Sequence, residues 1–488
     1  MNRSLLQLAT AVASISLVLV GGCRVGPNYT APPPTATAPA FKEAPPQSFE
    51  GWKAGTPSAA QLKGDWWTMF GDPQLNALEP QVDTANQTLV AAEANFRAAR
   101  TQIGFARSQS GPQIAISPSL QGVRDSVYQP YFNQANANSG VSVFSLPVDL
   151  NYEVDLWGRI RRGVTQAREE AQAAAGDLEN ARLSLHAELA MDYFGLRSAD
   201  AQETLLDSTI QVYQQAVQLT QDRYQGGVSP YSDLTQAQTQ LQQARVQRTD
   251  LEQQRAQYEH AIAVLIGKAP AELTIPPTSP TLKAPDLPNI PGALPSELLE
   301  RRPDISADER RVAAANEQIG IAEAAYYPTL TISGSGGFIG NSLLNWFSFP
   351  ARYFAVGPQL SQVLYDRGRR RSLKELSQAQ YDQTVAEYRQ TTLSAFQQVE
   401  DNLAALRVLQ TEAEQQRAAT TAAKESQNLF EIRYQGGVDT FLQVVTYQTA
   451  ALNNQRNEIV IMQRRLDASV LLIKALGGGW NTTQLPKV

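Results

Sequence analysis

The residue types that carry most enzyme chemistry are scarce in this chain. Its 488 residues include one cysteine, Cys23, and two histidines, His186 and His260. One thiol excludes an intramolecular disulfide framework and a cysteine metal cluster, and two histidines cannot build a multi-histidine site. Both histidines fall in helical heptad stretches with no nucleophile constellation, as satisfied or exposed helix histidines do. Gly334, Gly336, Gly337 and Gly340 miss the spacing of a dinucleotide loop, and no Walker-type phosphate loop is present. No enzyme is legible, and no cofactor or metal is expected. With 41 basic against 47 acidic residues and a formal net charge of −6, it is not a basic nucleic-acid binder.

The chemistry that remains belongs to Cys23. Arg3 precedes an apolar run from Leu5 to Val20, too short to span a bilayer comfortably, which reads as a secretory signal. The run ends in Val20-Gly21-Gly22-Cys23, which resembles a bacterial lipobox: small residues ahead of a cysteine that is acylated and becomes the mature N-terminus. Arg24, rather than Asp, follows it, and in bacterial lipoproteins that resembles the signal for passage to the outer membrane. No later stretch is apolar enough for a transmembrane helix, so a membrane could be crossed only by strands.

The chain also repeats itself. Arg223-Tyr224-Gln225-Gly226-Gly227-Val228 recurs as Arg433-Tyr434-Gln435-Gly436-Gly437-Val438, 210 residues on, and the same offset aligns Leu150 with Leu360, Gly158 with Gly368 and Gln238 with Gln448. Each copy reads helix, strand, strand, very long helix, turn, helix. Residues 73–110 favour helix, and 113–123 and 141–156 alternate as strands with one apolar face. The second copy repeats the pair as strands 329–338 and 351–366. No proline interrupts 159–229 or 359–485, and a helix of about 67 residues is roughly 100 Å long, more than a compact domain can use. Heptads support it: Ala237, Ala244, Leu251, Tyr258 and Leu265 mark one seam, and Val445, Leu452, Ile459, Leu466 and Ile473 another. Gly176 and Gly195 each cost about 1 kcal/mol against Ala in that helix, which argues against strict continuity there.

The expected organisation is a lipoprotein signal at 1–22, a lipid-anchored extended segment at 23–72, a first repeat at 73–268, a proline-rich connector at 269–294, a second repeat at 295–477 and a tail at 478–488. The fold class is mixed α+β and mostly α. Four strands per chain cannot close a barrel, and an open sheet edge in lipid costs several kcal/mol per unpaired backbone group. Copies must therefore share one barrel. Two chains would give eight strands and a filled interior; three would give twelve and a lumen.

Several motifs, in order, carry a resemblance over essentially the whole mature chain. They are Cys23-Arg24-Val25-Gly26-Pro27-Asn28-Tyr29, Asp65-Trp66-Trp67, Asp72-Pro73-Gln74-Leu75, Arg301-Arg302-Pro303-Asp304-Ile305 and Leu476-Gly477-Gly478-Gly479-Trp480. They resemble the lipoprotein branch of the outer-membrane efflux channels of the TolC and OprM type. The resemblance implies a homotrimeric channel in the outer membrane of a Gram-negative bacterium, with a twelve-stranded barrel continued by a coiled-coil tunnel through the periplasm. Its implied partners are a periplasmic adaptor protein, a proton-driven inner-membrane pump of the RND type, and outer-membrane lipid. Polypeptide export and a trimeric coiled-coil surface lipoprotein are the alternatives.

The site residues follow the twin turns. Val438, Leu442 and Thr446 share a helical face at four-residue spacing, so each makes a threefold ring in a trimer. In the family the places of Gln443 and Thr446 often carry Asp; this chain departs from that, so a mainly apolar gate is expected, with Asp439 the one nearby carboxylate. Asp233 and Tyr434 resemble a latch between the outer and inner helix pairs. Where the family pairs an Arg with a hydroxyl, this chain has Asp439 and Ser232. Arg223, Tyr224, Gly226, Gly227, Arg433, Gly436 and Gly437 form the expected adaptor-docking tips, although a Gly-Gly turn is also a plain helix cap.

Overall fold

In the computed structural model, which describes residues 24–33, 41–43, 65–124, 126, 128, 140–277 and 301–480, long helices lead away from a single sheet. Helix α1 (Pro73–Ala85) starts where the Asp72 carboxylate accepts the backbone N–H groups of Gln74 and Leu75, with proline at the first helical position. Helix α2 (Gln87–Ser108) follows directly. The single helix predicted over 73–110 breaks at Asn86, whose side chain accepts from the Leu89 N–H and donates to the buried Leu265 carbonyl. That second bond is tertiary, so local propensity does not report it.

Helices α3 (Arg159–Gln225) and α6 (Arg369–Gln435) are both 67 residues long, and α4 (Tyr231–Leu265) and α7 (Phe441–Ala475) are both 35. Helix α5 (Pro303–Ala324) packs between α3 and α6. Gly176 and Gly195 do not interrupt α3. They admit neighbours instead: a Cβ on Gly176 would lie 2.8 Å from the Pro303 carbonyl oxygen, and one on Gly195 would lie 2.5 Å from the Tyr258 ring. The helix-weakening glycines sit where neighbouring helices leave no room for a side chain.

The largest core gathers Trp66, Trp67, Leu75 and Val82 against Leu189, Tyr193 and Leu196 of α3, Ile262 of α4 and Val470 and Ile473 of α7. His186 belongs to it. Its ring stacks on Trp67 with centroids 4.6 Å apart, and Nδ1 lies 2.6 Å from a Glu79 carboxylate oxygen. Burial pushes the Glu79 carboxyl up to about 7, with His186 pulling the other way. The two indoles, Trp66 and Trp67, are packing anchors.

The sheet runs β1 (Gln113–Ile116) and β2 (Ser119–Val123) along one edge of β3 (Val141–Val154), then β4 (Thr329–Gly340) and β5 (Arg352–Ser361), all antiparallel. The strand predicted over 113–123 is interrupted at Ser117-Pro118 without losing register, since Ile116 faces Val148 and Ser119 faces Ser145. The strand predicted over 351–366 stops at Ser361, opposite Thr329, the first residue of β4, beyond which no partner remains.

Register sorts the side chains. Ile114, Ile116 and Leu120 sit across from Leu150, Val148 and Phe144; Leu150 and Val148 align through β4 with Val356 and Phe354, and Leu330 pairs Leu360 on the same face. The opposite face carries Gln113, Gln121, Asp149, Asn151, Glu153, Thr331, Ser333, Ser335 and Gln359. The apolar face is open to its surroundings, with Phe354 86% exposed. Among the described residues no helix is long and apolar enough to cross a membrane.

Candidate gate and helix tips

At the far end from the sheet, α3 turns into α4 and α6 into α7 by the same device. Gly227 has φ +71° and Gly437 φ +75°, and the N–H groups of Val228 and Val438 donate to the Arg223 and Arg433 carbonyls at 2.8 and 2.9 Å. A Cβ on either glycine would meet no atom within 4 Å. The left-handed backbone, not crowding, therefore calls for glycine. Gly226 and Gly436 keep right-handed angles and end their helices.

The two tips then diverge. Arg433 forms an ion pair with Asp439 inside its own tip, which raises the guanidinium pKa. Its counterpart Arg223 has Ser229 at that place and reaches across to the other hairpin. Its guanidinium lies 4.7 Å from the centre of the Tyr434 ring and donates to the Tyr434 carbonyl at 3.4 Å. Tyr434 is 7% exposed and packs with Phe441, Val444 and Ala237, while Tyr224 is 44% exposed. Sequence reasoning missed this crossing; the readable signal is the Ser229 and Asp439 difference.

Asp233 lies in the first turn of α4, but its side chain makes no capping bond; the N-cap residue is Pro230. Burial raises the Asp233 carboxyl pKa while Arg223 lowers it. The structure does not join Asp233 to Tyr434 within one chain: the buried Tyr434 hydroxyl has no hydrogen-bond partner among the described residues. Ser232 is exposed, and Asp439 is held by Arg433 rather than by Ser232.

On α7, Leu442, Gln443 and Thr446 are exposed, as is Val438 just before it, while Phe441, Val444 and Gln448 face the neighbouring helices. The Thr446 hydroxyl donates to the Leu442 carbonyl at 2.8 Å and is thereby occupied. Above this level the hairpins are tied by the Gln240 amide donating to the Thr449 hydroxyl at 2.6 Å. Cys23 lies outside the described residues.

The arrangement of sheet, shaft and paired tips has known counterparts. The model of the family described as outer membrane efflux protein matches residues 80–268 and again 294–478. The chain belongs to the outer membrane efflux protein family. Within the family it is 31% identical to the antibiotic efflux pump outer membrane protein ArpC of Pseudomonas putida, over 98% of this chain and 96% of that protein. It is 30% identical to the outer membrane protein OprJ of Pseudomonas aeruginosa, over 97% and 96%. The solved outer-membrane channel OprN superposes with a TM-score of 0.85 at 28% identity, over 94% of this chain and all of that one. As an outer membrane efflux protein the chain is the outer-membrane channel of a Gram-negative efflux system, a passive conduit and not an enzyme.

Proposed function

We propose that three copies of this chain share one twelve-stranded barrel in the outer membrane and one helical tunnel below it, forming the exit duct of a tripartite pump for small molecules. The observation that carries this is the sheet. One face is mostly apolar and open to its surroundings, the other mostly polar, and among the described residues both edges, β1/β2 and β5, lack a partner strand. Such a sheet is stable in lipid only when the edges close against further copies, with the polar face turned to water. The double match of the family model and the equal helix lengths support descent from a duplicated unit.

The adaptor docks on the tips around Gly226-Gly227 and Gly436-Gly437, and an RND-type pump supplies the energy. Relatives named for antibiotic and toluene efflux support small-molecule cargo over polypeptides. Val438, Leu442 and Thr446 form the gate, and Cys23 carries the lipid. Asp233 and Tyr434 form the latch, whose closing bond is made in the assembled trimer; the orphaned Tyr434 hydroxyl supports this, because a buried unpaired hydroxyl costs about 1–3 kcal/mol.

Planar-bilayer recording of the purified protein, with and without an adaptor, tests the reading. Discrete steps from a trimeric species with weak cation selectivity are expected. A monomer that never conducts overturns it, and strong cation selectivity that survives Asp439→Asn overturns the apolar gate.

A further inference from the structure

The segment following Cys23 is not a free tether. Val25 donates its N–H to the Trp157 carbonyl at 3.2 Å, just past the end of β3. Arg162, on the first turn of α3, is fully buried, and its guanidinium reads the segment's backbone. Nε donates to the Val25 carbonyl at 2.7 Å, Nη2 to the Pro27 carbonyl at 3.0 Å, and Nη1 to the Glu317 carboxylate of α5 at 2.8 Å. Arg24 donates to that same carboxylate at 2.5 Å. Further on, Asn316 donates to the Pro27 carbonyl at 3.4 Å and the Tyr29 hydroxyl to the Glu309 carboxylate.

The fit is steric as well as polar. Gly26 adopts φ +95°, and a Cβ there would lie 2.6 Å from the Cα of Gly320 on α5. A Cβ on Gly320 would itself fall 2.2 Å from Arg162 Nε, so Gly320 leaves the room that the guanidinium occupies. A buried guanidinium needs acceptors for its donors, and a carboxylate alone does not supply them all. Two of the acceptors of Arg162 are strap carbonyls. The residues that pin the segment lie beside Trp157, which donates to the Pro328 carbonyl immediately before β4 and stacks on Tyr327.

From this geometry we infer that Arg162, Glu317 and Gly320 form a receptor for the mature N-terminal segment, seating residues 24–29 at the base of the sheet so that a lipid on Cys23 acts as a fixed strut rather than a loose leash. The acyl chains would then enter the bilayer beside the strands and help set their depth. Arg162 and Glu317 are positioning residues. The lipid's placement rests on the acylation proposed above, whereas the seat does not.

Limited chymotrypsin digestion of the full-length protein in lipid nanodiscs tests the seat, because the protease must draw the Tyr29 side chain out of its contact with α5 before cutting after it. In the parent the Tyr29–Thr30 bond should be cut slowly. Gly26→Ala, which alters only the strap, and Arg162→Met should each speed that cut by about tenfold to a hundredfold, the range expected for losing hydrogen bonds to a charged group when cleavage follows the open population. Helix content should be unchanged in Gly26→Ala. Equal rates in parent and Gly26→Ala, with the strap cut freely in both, overturn the receptor, and Gly26→Ala decides alone if Arg162→Met does not fold. The mass of the released 23–29 peptide reads acylation separately: a lipid-free peptide with the expected rates removes the strut and leaves the seat.

Discussion

The tips at 223–228 and 433–438 share six residues and one turn geometry, yet their arginines have opposite allegiances. Arg433 is neutralised by Asp439 at home, while Arg223, facing Ser229, lies over Tyr434 of the other hairpin. The tyrosines diverge with them: both pack beside the aromatic seven residues on, Tyr231 or Phe441, but only Tyr434 is buried. A backbone motif can thus be held constant while one nearby residue decides whether a tip stands alone or clasps its neighbour. In this chain the first tip does the clasping and the second supplies what is clasped.

The comparison is most open to breakage at the tyrosines. Tyr434→Ala should destabilise the tip by about 3 kcal/mol, as large-to-small changes in packed sites do, while Tyr224→Ala should stay within about 0.5 kcal/mol. Denaturant melting of both variants checks this, and equal losses would mean the tips are not differently packed. A smaller effect is expected from the polar groups. On the proposed latch, Asp233→Ala and Tyr434→Phe should each remove the charge-assisted bond made in the trimer, worth about 1.5–3 kcal/mol, and raise single-channel conductance, with the double variant adding little. Parental conductance in both would leave the Tyr434 ring, not its hydroxyl, as the closing element.

Further up the hairpins α7 has Asp467 where α4 has Gln257. Burial, reinforced by the neighbouring Asp192, pushes the Asp467 carboxyl up to about 7, and burial pushes Asp192 to about 6. Because the folded form holds a proton that the unfolded form releases near pH 4, this stabilisation is present in acid and lost as pH rises through about 7. Asp467→Gln should therefore raise the melting temperature at pH 8 and flatten its pH dependence, a gain of about 1–2 kcal/mol after allowance for solvent screening. An unchanged slope in pH-resolved melting would reject it. The smallest effect is the sharpest test of the arginines: Ser229→Asp gives the first tip the carboxylate that the second has. It should draw Arg223 off Tyr434 at a cost below about 1 kcal/mol, visible as a modest rise in conductance that Arg223→Gln reproduces. No change would show that the crossing arginine does not bias the tunnel.

The long helices were legible because length without proline and heptad spacing are local properties, and the tip turns because positive φ selects glycine. Gly176 and Gly195 misled for the same reason: propensity registers their intrinsic cost, while their use, admitting Pro303 and Tyr258, appears only when α4 and α5 are in place. Asn86 was hidden likewise, since half of its bonding runs to Leu265. At the site, the spacing that puts Val438, Leu442 and Thr446 on one face also gives their exposure. It cannot give the partner of Arg223, which depends on how two hairpins sit against each other. Nor does the sequence expose the seat for residues 24–29, because Arg162 grips it through the Val25 and Pro27 carbonyls, which leave no side-chain signature, and Glu317 and Glu309 come from a distant helix.

The open edges of the sheet have a consequence for the time before assembly. A sheet whose described residues leave two bare edges and an uncovered apolar face is, while alone, a template for any passing strand. Both edges bear a proline: Pro118 divides β1 from β2, and Pro358 sits within β5. Proline has no N–H to offer, and within an edge strand it is tolerated where that missing donor faces outward. Each edge therefore presents only short runs of donors to a stranger, too brief for a long parasitic ladder. In the proposed trimer a sister chain would add its own long helices alongside the sheet edge. The prolines would act as gatekeepers of fidelity, discouraging aggregation in the periplasm while leaving the correct closure to win by the sum of many contacts.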